Sequence, residues 1–501
     1  MSRKSRPARV TGGVPQRAFG QVARTYAPLQ VISADQVAAI HQAALSVLAR
    51  QGMRVLQPQA RQLYAAAGAV VEGDVVRLDP DMVGELLASV PKHFTVAARN
   101  PARSLRFGGS DCVFTSVGGP AYVMDIDKGR RDGTFAEMCD FLRVVQGLNV
   151  IQQEGGGPFE PMDLPAATRH LDIYLAQITL VDKSWQTQTL GHARTMDGIE
   201  MAALMFGVGV QDLPCSLVGI INTNSPLQLD IPMAEGLSAM AQAGQVNVIT
   251  PFTLSGAMAP VTLAGALVLQ HAEAMAGIVL TQIVRPGVPV MYGGFTSNVD
   301  MKSGAPAFGT PEYAKAAQIS GQLARWIGVP FRSSNVTAAN AVDAQAAYES
   351  QMALWGAVMG GAHLIEHAAG WMHGGLTASF EKLILDAEML QMMQAYLEPP
   401  GTSEADLAVS IIAEVGPSGH FFGTDHTMQR YERAFHAPMV SNWDNYPQWL
   451  EKGSVDATAR AHVLWQQMLA EHEDPGLDAG TDEALAEYVA KRKEQGGAPM
   501  N

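Results

Sequence analysis

The chain has 501 residues, of which 47% are hydrophobic and only 16% charged, so it can bury a large core and is not a disordered polyelectrolyte. With 48 acidic against 34 basic residues the formal net charge is −14, which repels a phosphate backbone and argues against nucleic acid as a partner while leaving a cationic small molecule open. Three cysteines, Cys112, Cys139 and Cys215, match neither a disulfide framework nor a CxxC metal site, and a reducing cytoplasmic setting is expected.

In chain order, the basic start MSRKSRPARVTGG is followed by no apolar stretch of signal-peptide type, and no uninterrupted apolar run reaches the ~18 residues that would suggest a membrane span. Residues 1–28 are expected to form a disordered or extended tail. Ser33 with Gln36 three positions on has the capping-box spacing and predicts a helix from Ser33 to Ala49. A short strand follows at Val75 to Leu78, and Asp79 as N-cap with Pro80 behind it opens a second helix to Val90. These elements make an N-terminal α/β cap over residues 29–110.

An alternation then begins. Apolar or β-branched runs stand at Asn149 to Gln153, Trp185 to Leu190, Ser216 to Asn222, Val246 to Thr253, Pro289 to Phe295, Pro330 to Asn335 and His363 to Ala368. Each leads through a loop into an Ala- and Met-rich amphipathic stretch, with starts about 30 to 43 residues apart, the spacing of βα units on a parallel sheet. With an eighth strand at Val113 to Ser116 or near Ile411 to Val415, the expected fold is an α/β TIM (β/α)8 barrel over residues 111–425; a doubly wound open sheet is the alternative. Gly401 to Glu404 breaks the pattern, Val455 to Lys493 reads as helical, residues 426–501 form a helical extension, and the closing EQGGAPMN is expected to fray.

In such a barrel, function lies where strands end. The residues there are Gln153 and Glu154, Gln186 and Gln188, Asn222 and Asn224, Phe252 and Ser255, Tyr292 and Phe295, Asn335 and Asn340, and His367 with Trp371. Amides, aromatics and glycines dominate, Lys and Arg are nearly absent, and acids are few, so the lysine of an aldolase or the carboxylate pair of a glycosidase is not on display. Tyr292, Phe295 and Trp371 suit a cation–π cage, while Gln153, Gln188, Asn222 and Asn335 could orient a carboxylate or hydroxyl without adding net charge. The plainer readings are core aromatics, a satisfied amide layer, and glycines that serve tight turns. His363 and His367 of HLIEH match the HxxEH zinc pattern, but as a strand the run puts both histidines on one face and Glu366 on the other, so no metal is expected.

The run GWMHGGLTASFEKLILDAEM (370–389), preceded by DAQAAYE (343–349) and YGGFTSNVDMKSGAPAFGTPEYA (292–314), resembles the trimethylamine methyltransferase superfamily, in the branch without pyrrolysine, over about residues 31–494. The resemblance implies a TIM barrel that moves a methyl group from a betaine-like quaternary amine to the Co(I) corrinoid of a separate partner protein, with no cofactor tightly bound by the chain itself, no membrane association, and a homo-oligomeric assembly. On this reading the nucleophile belongs to the corrinoid and the leaving group departs as a neutral amine, so no catalytic acid or base is required. The expected substrate-binding set is Gln153, Gln188, Asn222, Phe252, Tyr292, Phe295, Asn335, His367, Trp371 and His373; the last stands where the family pattern often carries Glu. GPSGHFFGTDHTMQRYERAFHAPMVSNWDNYPQWLEKG (416–453) resembles the family's closing segment, and His420, His426, Arg430 and Trp443 either cover the barrel mouth or simply pack the extension. The competing functions are a non-catalytic betaine-binding protein and an unrelated TIM-barrel lyase or hydrolase.

Overall fold

In the computed structural model, which describes residues 13–499, eight parallel strands close into a barrel. In chain order they are β1 (Asp111–Ser116), β2 (Gln153–Glu154), β3 (Ser184–Thr187), β4 (Leu217–Thr223), β5 (Val246–Ser255), β6 (Val290–Gly293), β7 (Phe331–Ser334) and β8 (Leu364–Ala369). Each pairs in parallel with its sequence neighbours, and β8 closes on β1 with Leu364 opposite Val113. The outer layer is α1 (Phe135–Gly147), α2 (Arg169–Leu180), α3 (His192–Phe206), α4 (Ile231–Gln242), α5 (Leu263–Val284), α6 (Pro311–Trp326), α7 (Ala344–Gly360) and α8 (Phe380–Leu397), one after each strand. The seven runs expected as strands are β2 to β8. Of the two places offered for the eighth, Val113 to Ser116 is β1, whereas Val409–Val415 is an exposed helix, because a closed barrel leaves no edge for it to join.

The strands are buried on both faces, which is why they read as continuous apolar runs. Inside, side chains stack in layers. Val113, Val218, Val246, Val248, Met291 and Leu364 form an apolar plug, sealed from below by the hairpin strands Phe94–Val96 and Leu105–Phe107. Above the plug comes a polar layer in which Gln186 Nε2 donates to Gln153 Oε1 (3.1 Å) and to Glu366 Oε2 (2.9 Å), and Thr115 Oγ1 donates to Glu366 Oε1 (3.0 Å). The wide end of the barrel opens above this layer.

The cap helices Ala34–Arg50 and Pro80–Ala88 begin with the Ser33 capping box and the Asp79 cap that the sequence indicates. They rest on α5, which is 22 residues long and apolar enough to cross a membrane by length and composition, yet is mostly buried between cap and barrel. Of the expected tail, residues 1–12 lie outside the described residues. The rest is extended chain laid across the barrel's narrow end: Val22–Ala23 pairs antiparallel with β1, and Thr25 Oγ1 donates to the carbonyl of Leu397 (2.6 Å). The helix Ala457–Ala470 lies along α8, and Ala479–Glu494 clamps α2 and α3 through Arg492 to Asp197 (2.6 Å). The closing stretch expected to fray is pinned instead, with Ala498 buried and its N–H on the carbonyl of Ala167 (2.9 Å).

Where the cap meets α5, His41 Nδ1 lies 2.9 Å from His271 Nε2, and His271 Nδ1 lies 3.2 Å from the Tyr292 hydroxyl. One of the two facing nitrogens of the His41–His271 contact must be unprotonated, so at least one ring is neutral, and burial lowers the proton affinity of both. Burial, and then the neighbouring His41, push His271 down to about 3 from 6.5. The unfolded chain therefore binds the extra proton first: this contribution is intact above pH 6.5 and is lost as pH falls from 6.5 towards 3. In thermal melts between pH 7 and pH 4, Tm of the wild type should fall with pH, and His271→Asn should show a visibly shallower slope.

Candidate active site

The wide end of the barrel holds a cavity of about 680 Å³. One wall is aromatic. Phe252 and Phe295 face each other at 5.4 Å between ring centroids, Trp371 meets Phe295 edge-on at 6.3 Å, and His367 stacks on Trp371 at 5.5 Å with 13° between planes. The cavity also carries Gln188 just after β3, Asn222 near the end of β4 and Asn224 just after it. At the floor stand Arg332 from β7 and Glu366 from β8, both buried, with the Arg332 guanidinium carbon 5.4 Å from the Phe295 ring.

Local chain geometry explains how these groups converge. β8 slips register against β1 between Ile365 and Ala369, and at that point His367 adopts φ 52°. The bulge lets consecutive residues serve the cavity, so strict alternation fails: Glu366 points into the barrel and His367 turns onto the aromatic wall, while His363 points away to bond the N–H of Phe331 (2.9 Å). Thr115 Oγ1 braces the bulge by accepting the His367 N–H (3.1 Å) while donating to Glu366. The following turn is anchored by Gly370 N–H to Asp386 Oδ2 (2.9 Å), and Asp386 is held by the buried ammonium of Lys382. Gly375, at φ 96°, lies flat on the Trp371 indole, where a Cβ would come within 2.5 Å of the ring.

Burial and mutual charge set the protonation states. Burial raises the Glu366 carboxyl above its ordinary range while Arg332 pulls it back. Burial, reinforced by Arg332, holds His367 well below the usual histidine value, so its ring is neutral at pH 7. Arg332 is itself depressed by burial yet keeps its charge, and its Nε and Nη1 have no hydrogen-bond partner among the described residues; nor does His367 Nδ1.

Of the ten residues expected to bind substrate, Gln188, Asn222, Phe252, Phe295, His367 and Trp371 line this cavity. Four do not. Tyr292 faces outward from β6, where its hydroxyl accepts from Gln270 Nε2 (3.0 Å) and meets His271 Nδ1 (3.2 Å), because the parity of β6 turns Met291 inward instead. Gln153 lies beneath the floor, donating to Ser184 Oγ (2.6 Å). Asn335 is spent on the carbonyl of Ala368 (2.9 Å). His373 sits in a turn, between Thr377 Oγ1 (2.8 Å) and the carbonyl of Asn340 (3.1 Å). The expectation that cations and acids are nearly absent from the strand ends also needs correcting, since Arg332 and Glu366 were overlooked; an arginine inside a strand buried on both faces was the available signal. Glu154 is acidic but structural: its carboxylate accepts the N–H groups of Gly156 (2.9 Å) and Gly157 (2.8 Å), and burial pushes it up to about 7. Among the described residues no cluster of three or more His, Cys, Asp or Glu could hold a metal. His420, His426, Arg430 and Trp443 lie away from the cavity lining.

Comparison with known proteins decides the family. The sequence profile of the trimethylamine methyltransferase (MTTB) family matches residues 1–497. The chain belongs to that family. It is 35% identical over 482 residues to a glycine betaine methyltransferase from Desulfitobacterium hafniense (strain Y51), covering 96% of this chain and 100% of that protein. It is 26% identical over 475 residues to the trimethylamine methyltransferase MttB of Methanosarcina thermophila, covering 90% of this chain and 95% of the relative. The crystal structure of the hydroxylamine MtmB complex shares the fold, with a TM-score of 0.50 at 10% identity and 91% and 92% coverage. This family member is therefore a methyltransferase on a TIM barrel.

The aromatic wall yields a direct test. Phe295→Ala and Trp371→Ala should each weaken binding of a quaternary ammonium ligand by about 0.5–2 kcal/mol, seen as a several-fold rise in calorimetric Kd. Tyr292→Phe, which keeps the buried ring outside the cavity, should leave that Kd unchanged.

Proposed function

We propose that the enzyme demethylates a quaternary ammonium compound that also bears a carboxylate, of the glycine betaine class, and passes the methyl group to a corrinoid carried by a separate protein. The observation that carries the substrate assignment is Arg332, a buried guanidinium lining the cavity with Nε and Nη1 unpaired. A buried cation with spare donors calls for an anion, and a carboxylate meets a guanidinium fork in bidentate fashion. The unpaired His367 Nδ1 offers a second polar contact nearby.

Phe252, Phe295 and Trp371 would then hold the trimethylammonium group. Because cation–π attraction fades as the substrate loses its charge, these rings serve recognition more than rate. The neutral His367 adds no repulsion to an approaching cation. A zwitterionic substrate brings no net charge to the Arg332 and Glu366 floor, which limits the desolvation cost of closing over it. Gln188 and Asn222 orient the bound molecule. A corrinoid, when brought by its partner protein, supplies the nucleophilic metal centre that takes the methyl group. The cavity lining suits a flat macrocycle approaching from outside: Gly119, Gly156 and Gly374 bear no side chains that would stand in its way. The same partner chemistry supports a cytoplasmic setting.

The test follows the visible spectrum of Co(I) cobalamin, under anaerobic conditions with the protein present, as quaternary amines are added singly. Conversion to methyl-Co(III) is expected with glycine betaine or a close carboxylate-bearing analogue. No conversion with any amine, repeated with a cognate corrinoid protein, together with tight binding, would make this a binding protein instead. Arg332→Met should raise Kd for the carboxylate-bearing substrate roughly 10- to 150-fold, as loss of about 1.5–3 kcal/mol of charge-assisted hydrogen bonding requires, while tetramethylammonium binding changes little.

A further inference from the structure

Glu273 lies near the middle of α5 and is completely buried, yet the chemistry described above makes no use of it. Its carboxylate accepts three hydrogen bonds: from Thr223 Oγ1 (2.5 Å) and Ser225 Oγ (2.7 Å) on Oε2, and from the Leu227 N–H (2.7 Å) on Oε1. All three donors belong to one short stretch, residues 223–227, at the end of β4. The same part of the chain lines the cavity, where Asn222, Thr223, Asn224 and Ser225 follow one another. Burial raises the Glu273 carboxyl above its ordinary range, and the three donors pull it back.

Alternation divides this stretch between two tasks. Thr223 and Ser225 give their hydroxyls to α5, while the intervening Asn222 and Asn224 are exposed among the cavity-lining residues. Leu227 then adopts φ 55°, a left-handed conformation that a residue other than glycine keeps only when its surroundings hold it there. Both of its backbone groups are held, the N–H by Glu273 and the carbonyl by the N–H of Arg54 (2.8 Å). Arg54 belongs to the cap strand Met53–Val55, which pairs in parallel with Gln228–Leu229, so cap and α5 grip the loop from two sides.

We propose that Glu273 is a positioning residue for substrate binding: it fixes the loop after β4 so that Asn222 meets the bound molecule in one orientation. The proposal rests on the reading that Asn222 orients the substrate. A carboxylate suits the task because it accepts from several donors and has no donor of its own to compete with them. Charge-assisted bonds offset the desolvation of burying it. Glu273 is not among the cavity-lining residues, so it acts through the loop and not on the substrate. Glu388 of α8 supplies the contrast. It is also buried and accepts the N–H groups of Met439 (2.7 Å) and Val440 (3.3 Å) and the Ser441 hydroxyl (3.0 Å), but the segment it holds does not line the cavity.

Calorimetric titration of the full chain with glycine betaine, beside amide hydrogen exchange over residues 223–229, tests the role. Glu273→Ala should raise Kd roughly 3- to 10-fold, as loss of one oriented hydrogen bond requires, and should abolish protection of the Leu227 amide. Glu388→Ala should lower Tm with Kd unchanged, which separates positioning from a general loss of stability. Glu273→Gln should restore Kd to within about twofold, since its Oε1 still accepts the Leu227 N–H and the two hydroxyls can rotate to accept from Nε2. Asn222→Ala should raise Kd by a similar factor, and combining it with Glu273→Ala should add little, because both act through one contact. An unchanged Kd or surviving Leu227 protection in Glu273→Ala overturns the proposal. So does full additivity of the two substitutions, or a Glu273→Gln variant as weak as Glu273→Ala. A wild type that binds no glycine betaine, or an Asn222→Ala variant with unchanged Kd, overturns the substrate reading itself and the proposal with it. Should Glu273→Ala fail to fold, Glu273→Asp, which keeps the charge but withdraws the acceptors by one carbon, carries the same expectations.

Discussion

The cavity depends on one backbone irregularity, the slip of β8 against β1 at His367. A regular strand would send Glu366 and His367 to opposite faces. Instead a left-handed residue that is not glycine, costing about 1–2 kcal/mol of local strain, brings both to the same chamber. Thr115, opposite the bulge, satisfies both the His367 N–H and the Glu366 carboxylate with one hydroxyl. From there the chain turns through Gly370, tethered to the buried Asp386 and Lys382 pair, and presents Trp371 parallel to the His367 ring. The aromatic wall and the charged floor are thus positioned by one short segment of backbone.

The layers below explain how an arginine comes to be buried at the floor of this cavity. The apolar plug around Val113 and Leu364 keeps water out of the narrow end, so the polar layer must satisfy itself. Gln186 and Gln153 do this for Glu366 without adding charge. Arg332 sits in the same dry region and lowers the proton affinity of both Glu366 and His367. The outcome is Glu366, the Arg332 guanidinium and a neutral His367 imidazole gathered under an aromatic wall. A shared dry chamber also makes the three groups interdependent, so changes at any one alter the charge balance felt by the others.

Much of this was legible in the chain. The Ser33 and Asp79 caps are local hydrogen bonds between residues two or three apart, and they lie where the spacing places them. The seven strands from β2 to β8 follow from apolar runs at βα spacing, and Phe252, Phe295, Gln188 and Asn222 follow from standing at strand ends. What misled was parity. Tyr292 lies in a four-residue strand with both faces buried, so nothing in its neighbours says which way it points. Its outward turn depends on Gln270 and His271 of α5 waiting there to bond its hydroxyl. Asn335 and His373 likewise spend their polar groups on carbonyls that folding brings from over thirty residues away.

By itself the sequence determined the class of fold, the order of its units and the residues near the open end, because these follow from periodicity, capping and turn chemistry within a few residues of each position. Only the tertiary structure decided which side chains share the cavity. Closing β8 on β1 joins positions some 250 residues apart, and that joining creates the bulge at His367 and aims Glu366 inward, while Nε and Nη1 of Arg332 are left without a partner among the described residues. Burial, which leaves arginine donors unpaired inside a dry chamber, is a property of the closed barrel and of no local segment.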